Sequence, residues 1–319
     1  MAWVLYGFFQ GCVGTGLWII AHECGHGSFS LFPWLNDLVG WTTHSILLVP
    51  YFSWKITHAR HHRYAGHMGR DTAFVPFTEN EYAKKRGMSI QDVRNIAEDT
   101  PLVTLVNLAL HQMLGWPMYL LAAVSAGNDS IRHDGEHRHR TKSHFDPMSG
   151  LFSMKERVYV LLSDLGVLAA GWALFHISST IGRGDILLLY FMPYLWVNHW
   201  IVAITYLHHT HPSVPHYADQ SWTFSKGALC TVDRSYGFIG RHFFHDIIDY
   251  HVVHHLFPRI PFYKAEEATM AIRPLLGHRY REEKRESFLL SLFKTFQKCT
   301  FVAFSPESSG VFHWHKDKM

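Results

Sequence analysis

The sequence predicts an all-α integral membrane protein in which transmembrane helices support a helical cap with a histidine-rich metal site. Two observations support this fold class. Of the 319 residues, 48% are hydrophobic and only 17% are charged, whereas about a quarter is usual in a soluble domain. The 26 histidines include three closely spaced clusters, and each cluster lies near an uncharged stretch.

Residues 1–21 form the first uncharged stretch and have about the length that is needed to cross a bilayer. A secretory signal peptide begins with positive charges and ends at a cleavage site. This stretch has no such charges and continues directly into a histidine cluster. We therefore predict a transmembrane helix whose end carries His22 and His26.

Four later segments are also poor in charge. Residues 38–54 are only 17 residues long, which is marginal for a span, and we expect an interfacial or re-entrant helix there. Residues 101–128 are longer, but a Gly-Trp-Pro sequence interrupts them. Residues 158–182 and 186–207 are two further candidate spans, joined by the short link 183–185.

Membrane topology limits how these segments can cross. The second and third histidine clusters can share one site only if an even number of crossings separates them, yet three candidate spans lie between them. The loop 129–157 contains six Lys or Arg residues, and such an excess favours the cytoplasmic side. We predict that 101–128 associates with the membrane without crossing it. Residues 158–182 and 186–207 are then a transmembrane hairpin with a short lumenal turn.

The last third of the chain, residues 208–319, is polar and has no stretch long enough to span a membrane. Helical periodicity and a following glycine predict a helix at 265–276. An amphipathic pattern predicts another at 286–298. We expect these elements to form a cytosolic cap over the histidine site.

Composition excludes other classes of function. The net charge of +3 and the lack of a Lys/Arg run give no support to nucleic-acid binding. The four cysteines form no CxxC pair, so they indicate neither a disulfide framework nor a zinc site.

Three histidine patterns define a candidate metal site. HxxHH occurs twice and HxxxH once, and side chains at i, i+3 and i+4 lie on one face of a helix. Each HxxHH pattern is therefore expected to aim three imidazoles at one small volume. A four-coordinate metal ion uses at most half of eight imidazoles, so two metal ions are expected. The eight imidazoles belong to His22, His26, His58, His61, His62, His251, His254 and His255.

The first cluster also has another interpretation, because residues 22–26 satisfy the HExxH pattern of zinc proteases. Glu23 is then the general base of a membrane zinc metalloprotease, but six clustered histidines have no role. Ordinary core or interfacial histidines explain a single HxxHH in a histidine-rich chain. They explain two copies and an HxxxH pair beside apolar stretches much less well.

Imidazole ligands suit zinc, copper, iron and nickel, so the ligand type alone does not select the metal. A lipid setting favours an acyl chain as the substrate, and its only targets far from the head group are unactivated C–H bonds. Cleavage of such a bond needs an oxygen-derived oxidant, for which iron is the usual metal.

The patterns, in this order and placement, resemble those of the membrane fatty acid desaturase family, and within it the Δ12/ω3, oleate desaturase-like branch of fungi and plants. The resemblance extends over nearly the whole chain. The segments that support it are 21–30, 61–72, 205–212, 231–234 and 251–263.

The resemblance implies a non-haem di-iron centre that uses O2 and two electrons to remove two vicinal hydrogens from an acyl chain. It implies that the eight histidines above are iron ligands and that one further histidine follows the last transmembrane helix. His209 matches this position best, with His208 and His211 as competitors. His245 and Asp249 precede the third histidine cluster and are candidates to orient its imidazoles, although they are equally well explained as solvated polar residues.

The resemblance also implies partners and a location. The substrate is expected to be an acyl-lipid or acyl-CoA, and the electron donor cytochrome b5 with NADH-cytochrome b5 reductase. A multi-pass protein of the endoplasmic reticulum membrane, with its active site facing the cytosol, is expected. Family members have a cytosolic segment and one more transmembrane helix before the helix that leads into the first histidine cluster. We expect this chain to lack both.

The expected reaction is Δ12 desaturation of oleoyl to linoleoyl chains. Alternatives on the same iron site are a Δ15/ω3 or bifunctional Δ12/Δ15 desaturase and a hydroxylase or epoxygenase. An inactive fragment is a further alternative. His44, His111 and His144 belong to no histidine pattern and are expected to be loop or interface residues.

Overall fold

The computed structural model describes residues 2–95, 101–130, 141–304 and 309–315. Most of this part of the chain is helical, which confirms the predicted helical class. The helices are α1 (Ala2–His26), α2 (Pro33–Ile46), α3 (Tyr51–Tyr64), α4 (Glu79–Arg86), α5 (Ile90–Asn95), α6 (Pro101–Ala122), α7 (Arg157–Ile181), α8 (Arg183–Ile186), α9 (Met192–His209), α10 (Phe224–Ala228), α11 (Gly237–Phe243), α12 (His251–Leu256), α13 (Ala265–Leu276) and α14 (Phe288–Lys298). A π-helical turn, Leu187–Phe191, joins α8 to α9.

Five short strands complete the part of the fold that the structure describes. They are β1 (His216–Tyr217), β2 (Asp233–Arg234), β3 (Glu282–Glu283), β4 (Val302–Phe304) and β5 (Val311–Trp314). β5 lies between β1 and β4 and is antiparallel to both, while β2 pairs with β3 in parallel. These strands connect distant parts of the polar segment after α9.

Three helical stretches of the described chain are long and apolar enough to cross a membrane: Ala2–His26, Arg157–Ile181 and Arg183–His209. Large apolar side chains on their outer faces, such as Phe9 and Trp172, are exposed. Such extended apolar surface is typical of contact with lipid, and the helices indicate a membrane protein.

α1 and α9 pack closely and run in the same direction. Gly7 lies against Met192, and Gly11 lies against Trp196, where an added Cβ would clash with the Trp196 Cβ. Small residues at such an interface allow two membrane helices to approach. The parallel packing brings the C-terminal ends of α1 and α9 to the same level, and both ends carry histidines.

α6 continues without a break through the Gly-Trp-Pro sequence and packs against α9 and α14. Its polar Thr104 and Gln112 are buried, whereas Leu105 and Met113 are exposed. It is not among the three apolar stretches above. That it associates with the membrane without crossing it stays a prediction.

The structure differs from the sequence prediction at two connections. One helix is predicted over 38–54, but α2 ends at Ile46 and α3 begins at Tyr51. Leu48 has a φ of +55°, and Pro50 lacks the amide hydrogen that a continuous helix needs. The predicted link 183–185 is already helical, and the chain turns instead at Gly182.

Candidate metal centre

Eight histidines form two neighbouring groups. Within each group, one nitrogen of every imidazole lies within 4.8 Å of those of the others. The five-histidine group consists of His22, His26, His58, His62 and His254. The three-histidine group consists of His61, His209 and His255. The rings of His62 and His255 stack at 4.1 Å between centroids and join the two groups.

Both HxxHH patterns contribute to both groups. On α3, His58 and His62 belong to the five-histidine group and His61 to the three-histidine group. On α12, His254 and His255 are divided in the same way. The expectation that each pattern aims three imidazoles at one volume is therefore wrong. Adjacent helical residues point about 100° apart, so one pattern serves two neighbouring volumes.

His251 borders the three-histidine group. It is buried, and its Nε2 lies 3.4 Å from His209 Nε2. Its Nδ1 lies 3.3 Å from the carbonyl oxygen of Ile247, one turn earlier in the chain. With Nδ1 donating to that carbonyl, the lone pair of Nε2 faces the group.

The structure distinguishes His209 from its two competitors. His209 Nε2 lies 3.2 Å from His61 Nε2. His208 instead places Nδ1 2.6 Å from the Ile204 oxygen and Nε2 2.9 Å from the Ile248 oxygen. His211 Nδ1 lies 2.7 Å from Ser213 Oγ. Of the three side chains, His209 is the one whose nitrogen faces the other candidate ligands.

The chemistry of these residues fits bound metal ions. His254 Nε2 and both ring nitrogens of His255 are buried without a hydrogen-bond partner among the described residues, although buried polar atoms normally have one. Burial, followed by repulsion from neighbouring imidazoles, holds the pKa of His62, His254 and His255 well below the usual range. Neutral imidazoles with unused lone pairs are the form that binds metal.

Asp71 orients one imidazole of the three-histidine group. His61 Nδ1–H donates to Asp71 Oδ1 at 2.7 Å, and the carboxylate is only 1% exposed. The same oxygen accepts from the Ala73 amide at 2.9 Å. This arrangement fixes the His61 tautomer and leaves its Nε2 lone pair directed at His209.

Glu23 has a structural setting that does not favour the protease interpretation. Its Oε2 accepts from Ser28 Oγ at 2.8 Å and from the Phe262 amide at 3.2 Å, and its Oε1 lies 3.4 Å from His22 Nδ1. The buried carboxylate is therefore held in place beside His22 by two hydrogen bonds. The two HExxH histidines also share their site with three others.

The orienting role that the sequence suggests for His245 and Asp249 stays a prediction. The His245 ring lies 4.9 Å from that of Phe262, and the Asp249 carbonyl accepts from Lys284 Nζ at 3.0 Å. Among the described residues, no hydrogen bond links either side chain to a histidine of the three clusters. Asp71, which does bond to such a histidine, lies 10 residues after His61 in the sequence.

Comparison with known proteins identifies the family. The sequence model of the family described as "Fatty acid desaturase" matches residues 1–285. The chain belongs to the fatty acid desaturase family. It is therefore an oxidoreductase of a family that acts on lipid acyl chains in membranes.

Individual relatives agree with this assignment. An oleate hydroxylase of Claviceps purpurea is 44% identical over 97% of this chain and 67% of its own length. A Delta(12) fatty acid desaturase of Mortierella alpina is 42% identical over 95% of this chain and 75% of its own. A Delta(12)-fatty-acid desaturase of Arabidopsis thaliana is 41% identical over 100% and 78%.

A large cavity of this desaturase extends from the histidines to the surface. Its volume is about 740 Å³, within the roughly 300–1,000 Å³ of cavities that bind small molecules. Apolar side chains, including Trp18, Trp116 and Ile201, line it near His22 and His209. The exposed members of its lining include Phe77, Lys85, Arg86 and Lys298. The cavity therefore opens beside three cations.

His44 and His111, which belong to no pattern, lie on α2 and α6 and not in loops. His44 is fully buried, with ring centroids 5.2 Å from Trp18 and 4.9 Å from Trp54. His111 lines the cavity together with Asn107. The i, i+4 spacing of Asn107 and His111 on a largely apolar helix is the signal that could have predicted that both side chains share one face.

Proposed function

We propose that this desaturase introduces a cis double bond at Δ12 of oleoyl chains and so produces linoleoyl chains. The observation that supports it most directly is an apolar cavity that reaches two groups of buried and half-buried histidines. Relatives from Mortierella alpina and Arabidopsis thaliana are both named Delta(12) desaturases, which favours this regiochemistry.

The proposed cofactor is a non-haem di-iron centre, with one iron ion in each histidine group. When bound, such a centre supplies the O2-dependent oxidation that removes two vicinal hydrogens from an acyl chain. The five-histidine group holds one ion. The three-histidine group holds the other, and His251 completes the set of nine ligands.

The remaining residues of the site bind and position the acyl chain. Trp18 packs edge-on against Trp54 at 5.1 Å and against Trp116 at 5.8 Å between ring centroids. This aromatic wall next to His22 gives methylene groups an apolar surface and excludes water. Regiochemistry then depends on where the cavity stops the chain, since an error of about 1 Å can cost about 100-fold in rate.

We further propose that cytochrome b5, reduced by NADH-cytochrome b5 reductase, delivers the electrons. The proposed location is the endoplasmic reticulum membrane with the histidine groups on the cytosolic side. Family membership supports both proposals. Exposed Lys84, Lys85 and Arg86 on α4 provide positive charge that would attract an acidic donor.

Hydroxylation of oleoyl chains is a second candidate. The relative from Claviceps purpurea is named an oleate hydroxylase, so a similar chain is associated with hydroxylation of oleate. Δ15 desaturation, dual Δ12/Δ15 desaturation and epoxidation would each give a different product. Identification of the product therefore separates all of these reactions.

The test is the fatty-acid profile of yeast cells that express this chain, beside a His254→Ala variant in the same vector. Yeast supplies oleate and cytochrome b5. Linoleate that appears with the parent chain and is missing with the variant supports the proposal. A hydroxylated product supports the second candidate. A parent chain that is present in membranes and yields no new fatty acid, with oleate or with added linoleate, refutes both.

A further inference from the structure

The dipeptide Asp233–Arg234 lies between the two helices that supply most of the three-histidine group. α9 ends at His209, and α12 begins at His251 and carries His255. These helices are 41 residues apart in the sequence, yet His209 Nε2 and His251 Nε2 lie only 3.4 Å apart. Contacts from β2 connect the two helix ends.

Arg234 holds the end of α9. Its side chain is 2% exposed. Nε donates to the Leu207 oxygen at 2.7 Å, and Nη2 donates to the Thr210 oxygen at 2.9 Å. These two carbonyls lie on either side of His209 in the sequence, and the carbonyls of a last helical turn have no partner within the helix. Nη1 donates to Ser291 Oγ at 2.5 Å, which ties the guanidinium to α14.

Asp233 holds the start of α12. Its Oδ1 accepts from the Val252 amide at 2.7 Å, immediately after His251. Its Oδ2 accepts from Tyr280 Oη at 2.5 Å, and the residue is completely buried. The carboxylate therefore satisfies one of the first amides of α12, which also have no partner within the helix.

The backbone between these side chains makes the same connection. The Val232 amide donates to the His208 oxygen at 2.9 Å, and the Arg234 amide donates to the Ile248 oxygen at 3.0 Å. His208 Nε2 lies 2.9 Å from that Ile248 oxygen. Residues 232–234 thus form hydrogen bonds with the end of α9 and with Ile248, which lies shortly before α12.

We propose that Asp233 and Arg234 are positioning residues that set the separation between His209 and the α12 histidines, and thereby allow the three-histidine group to retain its metal ion. The inference rests on the proposed di-iron site. The five-histidine group depends less on this connection, because four of its members come from α1 and α3.

The experiment measures iron per chain in the purified 319-residue chain, together with resistance of the iron to a chelator. The variants are Asp233→Ala and Arg234→Lys. The first removes the acceptor for the Val252 amide. The second retains the positive charge but loses the planar guanidinium group, whose nitrogens donate to three acceptors. Each variant is expected to lose its second iron to the chelator about 10–100-fold more readily than the parent chain, and so to retain about one iron where the parent retains two.

Two further variants test whether the effect is specific. Asp233→Asn keeps an oxygen acceptor for the Val252 amide and is expected to retain both irons. Thr78→Ala removes a comparable side-chain cap, since Thr78 Oγ1 accepts from the Glu81 amide on α4, but α4 carries no member of either histidine group. It is also expected to retain both irons.

The outcomes separate this inference from the proposed function. A parent chain that binds no iron refutes the di-iron site and the inference with it. A parent chain with two irons, beside Asp233→Ala and Arg234→Lys variants that keep both with unchanged chelator resistance, refutes the positioning role alone. Loss of both irons from these variants also refutes it, because the connection would then support both histidine groups and not the three-histidine group in particular. Equal losses in the Asp233→Asn and Asp233→Ala variants refute the role assigned to the Val252 hydrogen bond.

Discussion

The two histidine groups differ in how the fold holds their members together. Four members of the five-histidine group form i, i+4 pairs on α1 and α3, and the His58 ring stacks on Trp54 at 4.4 Å. The three-histidine group takes one imidazole each from α3, α9 and α12. The first group is largely determined by helical periodicity, whereas the second depends on contacts between distant segments.

This difference has a physical consequence. A pair at i, i+4 keeps its spacing as long as its helix is formed, so remote substitutions disturb it little. Imidazoles on three separate elements keep their spacing only if the elements stay in register. We therefore expect the three-histidine group to be the more sensitive to changes outside its own ligands.

The largest effects are expected from the ligands themselves, and here the two groups should behave alike. His62→Ala removes a member of the five-histidine group, and His61→Ala removes one of the three-histidine group. Each is expected to lower linoleate formation by at least about 100-fold, because changes beyond the ligands already cost about 10–100-fold. Product analysis and iron content measure the effect, and Arg63→Ala, on the exposed side of α3, is the matched control.

An active His61→Ala variant would contradict a functional role for the three-histidine group. Iron content then sharpens the comparison. If each group holds its own ion, either variant should keep close to one iron per chain. Loss of both irons from one variant alone would show that the two groups do not bind independently.

Asp71 is expected to give the next largest effect, confined to the three-histidine group. Asp71→Ala leaves His61 Nδ1 buried without its acceptor and is expected to weaken retention of one of two irons about 10–100-fold. Asp71→Asn, which keeps an oxygen acceptor, should lose less. Chelator competition measures both.

The control for Asp71 is Asp37→Ala, which removes an acid from the pair with Lys55 near the surface. Such pairs contribute about 0–1 kcal/mol, so iron retention should not change. If Asp71→Ala retains both irons as firmly as the parent chain, Asp71 does not orient a ligand.

The contrast between the groups also explains how much the sequence can predict. The bounds of α13 are predicted correctly, because Gly277 follows the last periodic residue and has a φ of +53°. The pairs His22/His26 and His58/His62 are likewise recognisable from spacing alone. Local periodicity is sufficient in all three cases.

What the sequence does not reveal depends on tertiary structure. No spacing rule relates His209 to His61, and the split of each HxxHH pattern between two groups becomes evident only when α3 and α12 face each other. Asp71 lies ten residues after His61, and the chain between them turns at Gly66, where φ is +69°. The break between α2 and α3 depends on a left-handed Leu48, which residue preferences do not favour.

Glu23 gives a smaller expected effect, within the five-histidine group. Its Oε1 lies 3.4 Å from His22 Nδ1, but His22 Nδ1 makes no hydrogen bond there, and four other imidazoles remain. Glu23→Gln keeps an oxygen acceptor for Ser28 or Phe262. We expect both irons to be retained and linoleate formation to fall by less than about 10-fold, the lower limit for a change beyond the ligands. Complete loss of activity with metal retained would instead favour a general base.

The smallest effect is expected from His211, and it tests the choice of His209 directly. His211 Nδ1 accepts from the Ser213 amide at 3.2 Å and lies 2.7 Å from Ser213 Oγ, so its ring stabilises a turn and not the histidine groups. Loss of such hydrogen bonds typically costs about 0.5–1.5 kcal/mol of folding stability. His211→Ala should therefore lower the unfolding temperature slightly and keep both irons and activity, whereas His209→Ala should lose one iron and all activity. The reverse pattern would show that the ligand after α9 is His211, which would require the turn at Ser213 to open when metal binds.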